Sequence, residues 1–126
     1  MKKIALIVEN CPDQLELFAT LVDEAGYQVI KTSNTLDAVA QIMSLVSVDL
    51  VITDADLGHG DENGGLEVVY QAREMFPCAE IWFTSGGRGG HNHFAMAKAR
   101  GANRGLMKPT EILDAINELK GSAVPA

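Results

Sequence analysis

Several apolar runs in this chain end on residues that suit phosphoryl chemistry. Glu9 and Asn10 follow Ile4–Val8, Asp54 follows Leu50–Thr53, Ser85 follows Glu80–Thr84, and Lys108 follows the short run Arg104–Met107. An aspartate oxygen can accept a phosphoryl group covalently, and a cation held by oxygen ligands offsets the phosphate charge. A lysine and a hydroxyl can then hold the transferred oxygens. Taken singly, Asp54 is also a good turn-capping residue, Lys108 a surface lysine and Ser85 a loop residue. The chemistry requires a fold that returns all four run ends to one edge.

The elements between these residues predict such a fold. Ile4–Val8 is continuously apolar, as befits a central strand of a parallel sheet covered on both faces. Cys11-Pro12 opens a helix with proline in its first turn, a stripe of Leu15, Phe18, Leu21, Val22 and Ala25, and Gly26 as its stop. Tyr27–Thr32 reads as a second strand, and Asn34, with Asp37 three residues on, starts a helix through Leu36, Val39, Ala40, Met43 and Val46. Leu50–Thr53 is the third strand, and after a loop rich in Asp and Gly a helix runs from about Leu66 to Phe76, where Pro77 stops it. The fourth strand, Glu80–Thr84, leads to Ser85 and a glycine-rich segment, Gly86–Gly90, expected to be mobile, then to a weak helix from about His93 to Arg100. A fifth strand at about Arg104–Met107 passes through Lys108-Pro109 into a helix carrying Ile112, Leu113, Ile116 and Leu119. Five strand–helix pairs joined by right-handed crossovers predict a single α/β domain with a doubly wound sheet, whose reactive groups collect beyond the carboxyl ends of the strands.

Composition narrows the function. A net charge of −7 argues against a surface that coats nucleic acid. Residues 1–63 hold three basic and eleven acidic side chains, and residues 64–126 hold seven and six, so the acidity belongs to the half that contains Glu9, Asp54 and Asp56. Arg88, Lys98, Arg100 and Arg104 gather around the fourth helix instead. Cys11 and Cys78 are too few for a disulfide framework and lack zinc-ligand spacing. His91 and His93, two apart on a helix, point away from each other and read as exposed rather than as metal ligands. Trp82 and Phe83 read as core residues, one on each face. The segment Gly86–Gly90 lacks both GxGxxG spacing and a Walker lysine, so it is no nucleotide loop. The apolar run Ile4–Val8 is too short for a signal-peptide core or a membrane span, which leads to an expectation of a cytoplasmic protein with no membrane partner.

In this order, the segments Ile7-Val8-Glu9-Asn10, Val51-Ile52-Thr53-Asp54, Phe83-Thr84-Ser85-Gly86 and Leu106-Met107-Lys108-Pro109 resemble the receiver domain of two-component response regulators, over essentially the whole chain. The resemblance implies one receiver domain over residues 1–126, with a short flexible tail from about 121, built as a CheY-like, flavodoxin-like three-layer sandwich of strand order 2-1-3-4-5. It implies that Asp54 is the phosphoacceptor, supplied by a sensor histidine kinase or a histidine phosphotransfer protein, and that Mg²⁺ is held by Glu9, Asn10, Asp54 and the main-chain carbonyl of Asp56. Ser85 matches the switch hydroxyl, in preference to Thr84, because a small residue follows it. Lys108 matches the lysine that pairs with phosphoryl oxygens, with a cis bond to Pro109 by analogy.

Three positions depart from the family pattern. Asn10 replaces one metal-facing carboxylate by an amide, which weakens the expected hold on Mg²⁺. Gly105 stands where an aromatic switch residue is usual, so the expected conformational change is confined to the glycine-rich loop and the helix after it. The loop from Asp56 to Gly65 is long, acidic and rich in glycine, and is expected to be flexible surface rather than a source of extra metal ligands.

The leading expectation is a signalling module that is not an enzyme beyond its own phosphorylation and dephosphorylation, and that acts on a downstream protein target as shuttle, sink or allosteric partner. Two alternatives remain beside it. One is a degenerate receiver that binds proteins without being phosphorylated, as Asn10 and Gly105 allow. The other is an aspartate-nucleophile phosphatase, since Asp54-Ala55-Asp56 resembles a DxD motif, though in that family the motif follows the first strand. A homodimer through the last two strand–helix units stays open.

Overall fold

The computed structural model describes residues 2–58, 63–86 and 90–123. Five strands and five helices alternate along the chain: β1 (Lys3–Val8), α1 (Pro12–Glu24), β2 (Tyr27–Thr32), α2 (Thr35–Ser44), β3 (Leu50–Asp54), α3 (Gly64–Met75), β4 (Glu80–Ser85), α4 (Gly90–Arg100), β5 (Arg104–Met107) and α5 (Thr110–Ala123). The strands form one parallel sheet in the order β2-β1-β3-β4-β5, as expected. The chain leaves β1 for one edge and returns to pair β3 on the other side, which opens a crevice at the carboxyl ends of β1 and β3.

Strand alternation divides the core into two layers. Leu6, Val8, Val51, Ile81 and Phe83 face α2, α3 and α4, whereas Ala5, Ile7, Leu50, Ile52, Trp82 and Leu106 face α1 and α5. Trp82 and Phe83 thus serve opposite faces. Pro12 sits in the first turn of α1, and Gly26 takes a φ of 101° after its end, a conformation that glycine adopts without strain. Asn34 caps α2, its side-chain oxygen accepting from the Asp37 main-chain N–H at 2.8 Å.

Four expectations need correction. The apolar stripe expected for α2 is not the one that packs: Leu36, Met43 and Val46 are exposed, and Ala38, Ile42 and the partly buried Leu45 meet the core. Both sets recur at helical spacing, so periodicity does not choose between them. Helix α3 starts at Gly64, so Gly64 and Gly65 are buried helical residues rather than flexible loop. Helix α5 continues to Ala123, past the expected start of a tail. His93 is half-buried, not exposed.

Arg73 of α3 ties the end of the molecule opposite the crevice. Its guanidinium donates to the carbonyls of Gly101, Phe76, Pro77 and Ala79 and to Asn103 Oδ1, while that same oxygen accepts from the Ile81 N–H at 2.7 Å. One planar cation therefore satisfies carbonyls that the ends of α3 and α4 leave without helical partners.

Candidate functional site

Pairing of Val8 with Thr53 brings the residues that follow, Glu9 and Asp54, side by side at the crevice. Lys108 enters from β5, its main-chain N–H donating to the Ser85 carbonyl at 2.9 Å, with a cis peptide bond to Pro109 as expected. Lys108 Nζ lies 2.8 Å from Glu9 Oε1 and 3.2 Å from Asp54 Oδ1. The Asn10 amide, oriented by its hydrogen-bonding neighbours, closes the opposite side. Its Nδ2 lies 3.1 Å from Glu9 Oε2, 3.1 Å from Asp54 Oδ2 and 3.2 Å from the Asp56 carbonyl oxygen. The two carboxylates are thus bridged twice, by an ammonium through one pair of oxygens and by an amide through the other. The Cys11 N–H is a third donor to the Glu9 carboxylate, reaching Oε2 at 3.1 Å.

Burial shifts the protonation of this arrangement. Glu9 is 2% exposed and Asp54 6%, and the single lysine charge faces two carboxylates. Burial, and next the charge of Glu9, push the Asp54 carboxyl up to about 7, with Lys108 opposing the rise. At Lys108, burial pulls the other way and is outweighed by the Glu9 hydrogen bond and the charges of Asp54 and Glu9, so its pKa is raised and the lysine stays protonated.

The donor set suits a hard divalent cation. Glu9 Oε2, Asp54 Oδ2 and the Asp56 carbonyl converge on the point where Asn10 Nδ2 lies, and an all-oxygen set is what Mg²⁺ takes. Among the described residues no three His, Cys, Asp or Glu side chains gather to hold a metal, so a cation here rests on two carboxylates, a main-chain oxygen and whatever the Asn10 amide supplies.

Thr84 and Ser85 end β4, both buried. The Thr84 hydroxyl points back into the sheet, donating to the Thr53 carbonyl at 3.4 Å. Ser85 stands one residue nearer the crevice, and a Cβ on Gly86 would lie 3.5 Å from Lys108 Cε, an ordinary contact that leaves room for the lysine stem. The expectations for His59–Glu62 and for the glycine-rich loop at Gly87, Arg88 and Gly89 fall outside the described residues.

Sequence reasoning missed two residues. A Cβ on Gly65 would lie 2.1 Å from the Asp54 carbonyl oxygen and 2.8 Å from Ala55 Cα, so only glycine lets α3 begin against the backbone of Asp54. The Gly64-Gly65 pair at a helix start was the available signal. The second is Phe94 of α4, which lies over Gly105: a Cβ there would come within 2.6 Å of Phe94 Cγ, and the Phe94 ring meets Phe83 edge-on at 6.2 Å. The space beside β5 that a side chain at position 105 would need is thus filled by an aromatic from α4. In an alanine-rich helix Phe94 is the one large ring, which was its signal.

A doubly wound five-stranded sheet with an aspartate and a lysine at its carboxyl edge defines a flavodoxin-like α/β domain with charged groups at its crevice. Residues 5–120 match the response regulator receiver domain, and the chain belongs to that family. Solved structures share the fold. A CheY-like receiver domain protein from Methanospirillum hungatei superposes with a TM-score of 0.81 at 22% identity, covering 98% of this chain and 94% of that one. A response regulator from Burkholderia pseudomallei, solved with a phosphorylated aspartic acid, calcium ion and citrate, gives 0.80 at 21% identity over 96% of this chain and 68% of that one. A chemotaxis response regulator of Vibrio cholerae gives 0.77 at 18% identity, covering 98% and 100%. A comparison with curated protein sequences finds no match. Among the described residues no helix is long and apolar enough to cross a membrane.

Proposed function

We propose that this receiver takes a phosphoryl group on Asp54 from the phosphohistidine of a sensor histidine kinase or a histidine phosphotransfer protein, with Mg²⁺, and passes the change to a downstream protein. The carrying observation is the buried Asp54 carboxylate, held by Lys108 through one oxygen and facing the converging oxygen set through the other. Oδ1, on the lysine side, is the attacking atom. It bonds to phosphorus as the donor's P–N bond breaks, and the electron pair stays on the imidazole, which takes a proton from solvent. Lys108 Nζ moves with the incoming charge from the carboxylate to the phosphoryl oxygens, and the Ser85 hydroxyl would hold another. Bound by Glu9, Asp54 and the Asp56 carbonyl, Mg²⁺ would offset the charge that these carboxylates and the phosphoryl group share.

Turnover is confined to this self-phosphorylation and its hydrolysis, so the chain is a signalling protein rather than an enzyme acting on a separate substrate. The exposed free thiols Cys11 and Cys78 suit a reducing, cytoplasmic setting. A second reading, a receiver that binds partners without phosphorylation, draws on one observation: Asn10 and Lys108 already satisfy both carboxylates.

Intact-mass analysis after incubation with acetyl phosphate and Mg²⁺ separates the readings. The wild type should gain one phosphoryl mass and Asp54→Asn none. A gain that survives in Asp54→Asn refutes the acceptor assignment, and a wild type that never gains mass favours the second reading.

A further inference from the structure

Within the site, Asn10 has a role that a metal ligand alone does not explain. Its Nδ2 lies within 3.1–3.2 Å of Glu9 Oε2, Asp54 Oδ2 and the Asp56 carbonyl, three acceptors from two different strand ends. Lys108 Nζ makes the matching bridge through Glu9 Oε1 and Asp54 Oδ1, so amide and ammonium stand on opposite sides of the same carboxylate pair. Without the amide, Asp54 Oδ2 and the Asp56 carbonyl would lose this donor and Glu9 Oε2 would keep only the Cys11 N–H, so oxygens of two nearly buried carboxylates would face a main-chain oxygen, a costly arrangement of like partial charges. An aspartate at position 10 would worsen it by adding a further negative charge.

We propose that the Asn10 amide is a built-in stand-in for the cation: its NH₂ group holds the acceptor pocket closed in the metal-free protein, and a divalent ion must displace it. This deepens the reading given above and rests on its Mg²⁺ site. The pocket is therefore organised before any metal arrives, and metal affinity is reduced twice, by the missing carboxylate charge and by the hydrogen bonds that an entering ion must replace. Asn10 acts here as a positioning residue, holding Asp54 for chemistry that other atoms perform.

The test compares wild type, Asn10→Asp and Asn10→Ala in two measurements that need no phosphoryl transfer. In EDTA at pH 8, both variants should melt at least about 5 °C below wild type. With Mn²⁺ as the probe, titrated calorimetrically, Asn10→Asp should bind at least about tenfold tighter than wild type. Asn10→Ala guards against the added charge of Asn10→Asp being the whole cause of a lower midpoint. Variants that melt with the wild type in EDTA overturn the proposal, as does Asn10→Asp binding Mn²⁺ no tighter than wild type. The phosphoryl mass gain on Asp54 is scored separately. Its absence alongside the expected melting and Mn²⁺ results would remove the phosphoacceptor reading and leave the role of Asn10 standing.

Discussion

Asp54→Asn should stabilise this protein, and by an amount that depends on pH. The substitution exchanges a carboxyl that burial and Glu9 hold at about 7 for a neutral amide of the same shape. In the unfolded chain Asp54 ionises near 3.8, so between that pH and about 7 the folded state keeps a proton that the unfolded state has released. A native state that binds more protons loses stability as pH rises, here by about 1.4 kcal/mol per pH unit. Across the window the loss reaches about 4 kcal/mol and then levels off above pH 7. Asp54→Asn has no such titration, so its advantage over wild type should grow by about 4 kcal/mol between pH 4 and pH 8, groups not in contact with Asp54 cancelling in the difference. Urea unfolding in EDTA, followed by the fluorescence of the single tryptophan, Trp82, which is buried in the sheet, measures it directly. A difference that stays constant from pH 4 to pH 8, or that shrinks as pH rises, refutes the account of a carboxylate destabilised by burial and by Glu9. Mg²⁺ should narrow the gap at pH 8, because it stabilises the ionised wild type and gains less from the amide.

Three further outcomes follow from packing. Gly65→Ala, whose Cβ would lie 2.1 Å from the Asp54 carbonyl oxygen, should cost about 2–3 kcal/mol in urea unfolding and slow the acceptance of phosphoryl groups from acetyl phosphate, because backbone rather than a side chain must move. Gly105→Ala should destabilise by about 1–3 kcal/mol through its clash with Phe94, and a double-mutant cycle with Phe94→Ala should return a coupling of at least about 1 kcal/mol; additive effects would show that the ring does not fill this space. Arg73→Lys should cost about 2–4 kcal/mol by thermal or urea unfolding despite conserving the charge, since an ammonium cannot reach the carbonyls of Gly101, Pro77 and Ala79 together with Asn103 Oδ1.

Much of the site was legible because parallel α/β topology sends the carboxyl end of every strand to one edge. Once Ile4–Val8, Leu50–Thr53 and Arg104–Met107 read as strands, Glu9, Asp54 and Lys108 had to meet, although most of the chain separates the first from the last. Caps were equally local signals: Asn34 with Asp37, and Pro12 at a helix start, announce themselves within one turn. The buried face of α2 was not legible. Leu36, Met43 and Val46 on one side and Ala38, Ile42 and Leu45 on the other both satisfy helical spacing, and only packing in the folded chain buries the second set.

The order of residue types along the chain thus determined the sheet and the edge where chemistry gathers, because these follow from local periodicity and from the handedness of strand–helix connections. Tertiary structure decided the rest. Gly65 against the Asp54 carbonyl, Phe94 over Gly105 and Asn10 bridging two strand ends are contacts between segments that no local pattern relates. The reason is steric and electrostatic: whether a missing Cβ makes room, or an amide turns its donor inward, depends on atoms that folding alone brings within about 3 Å.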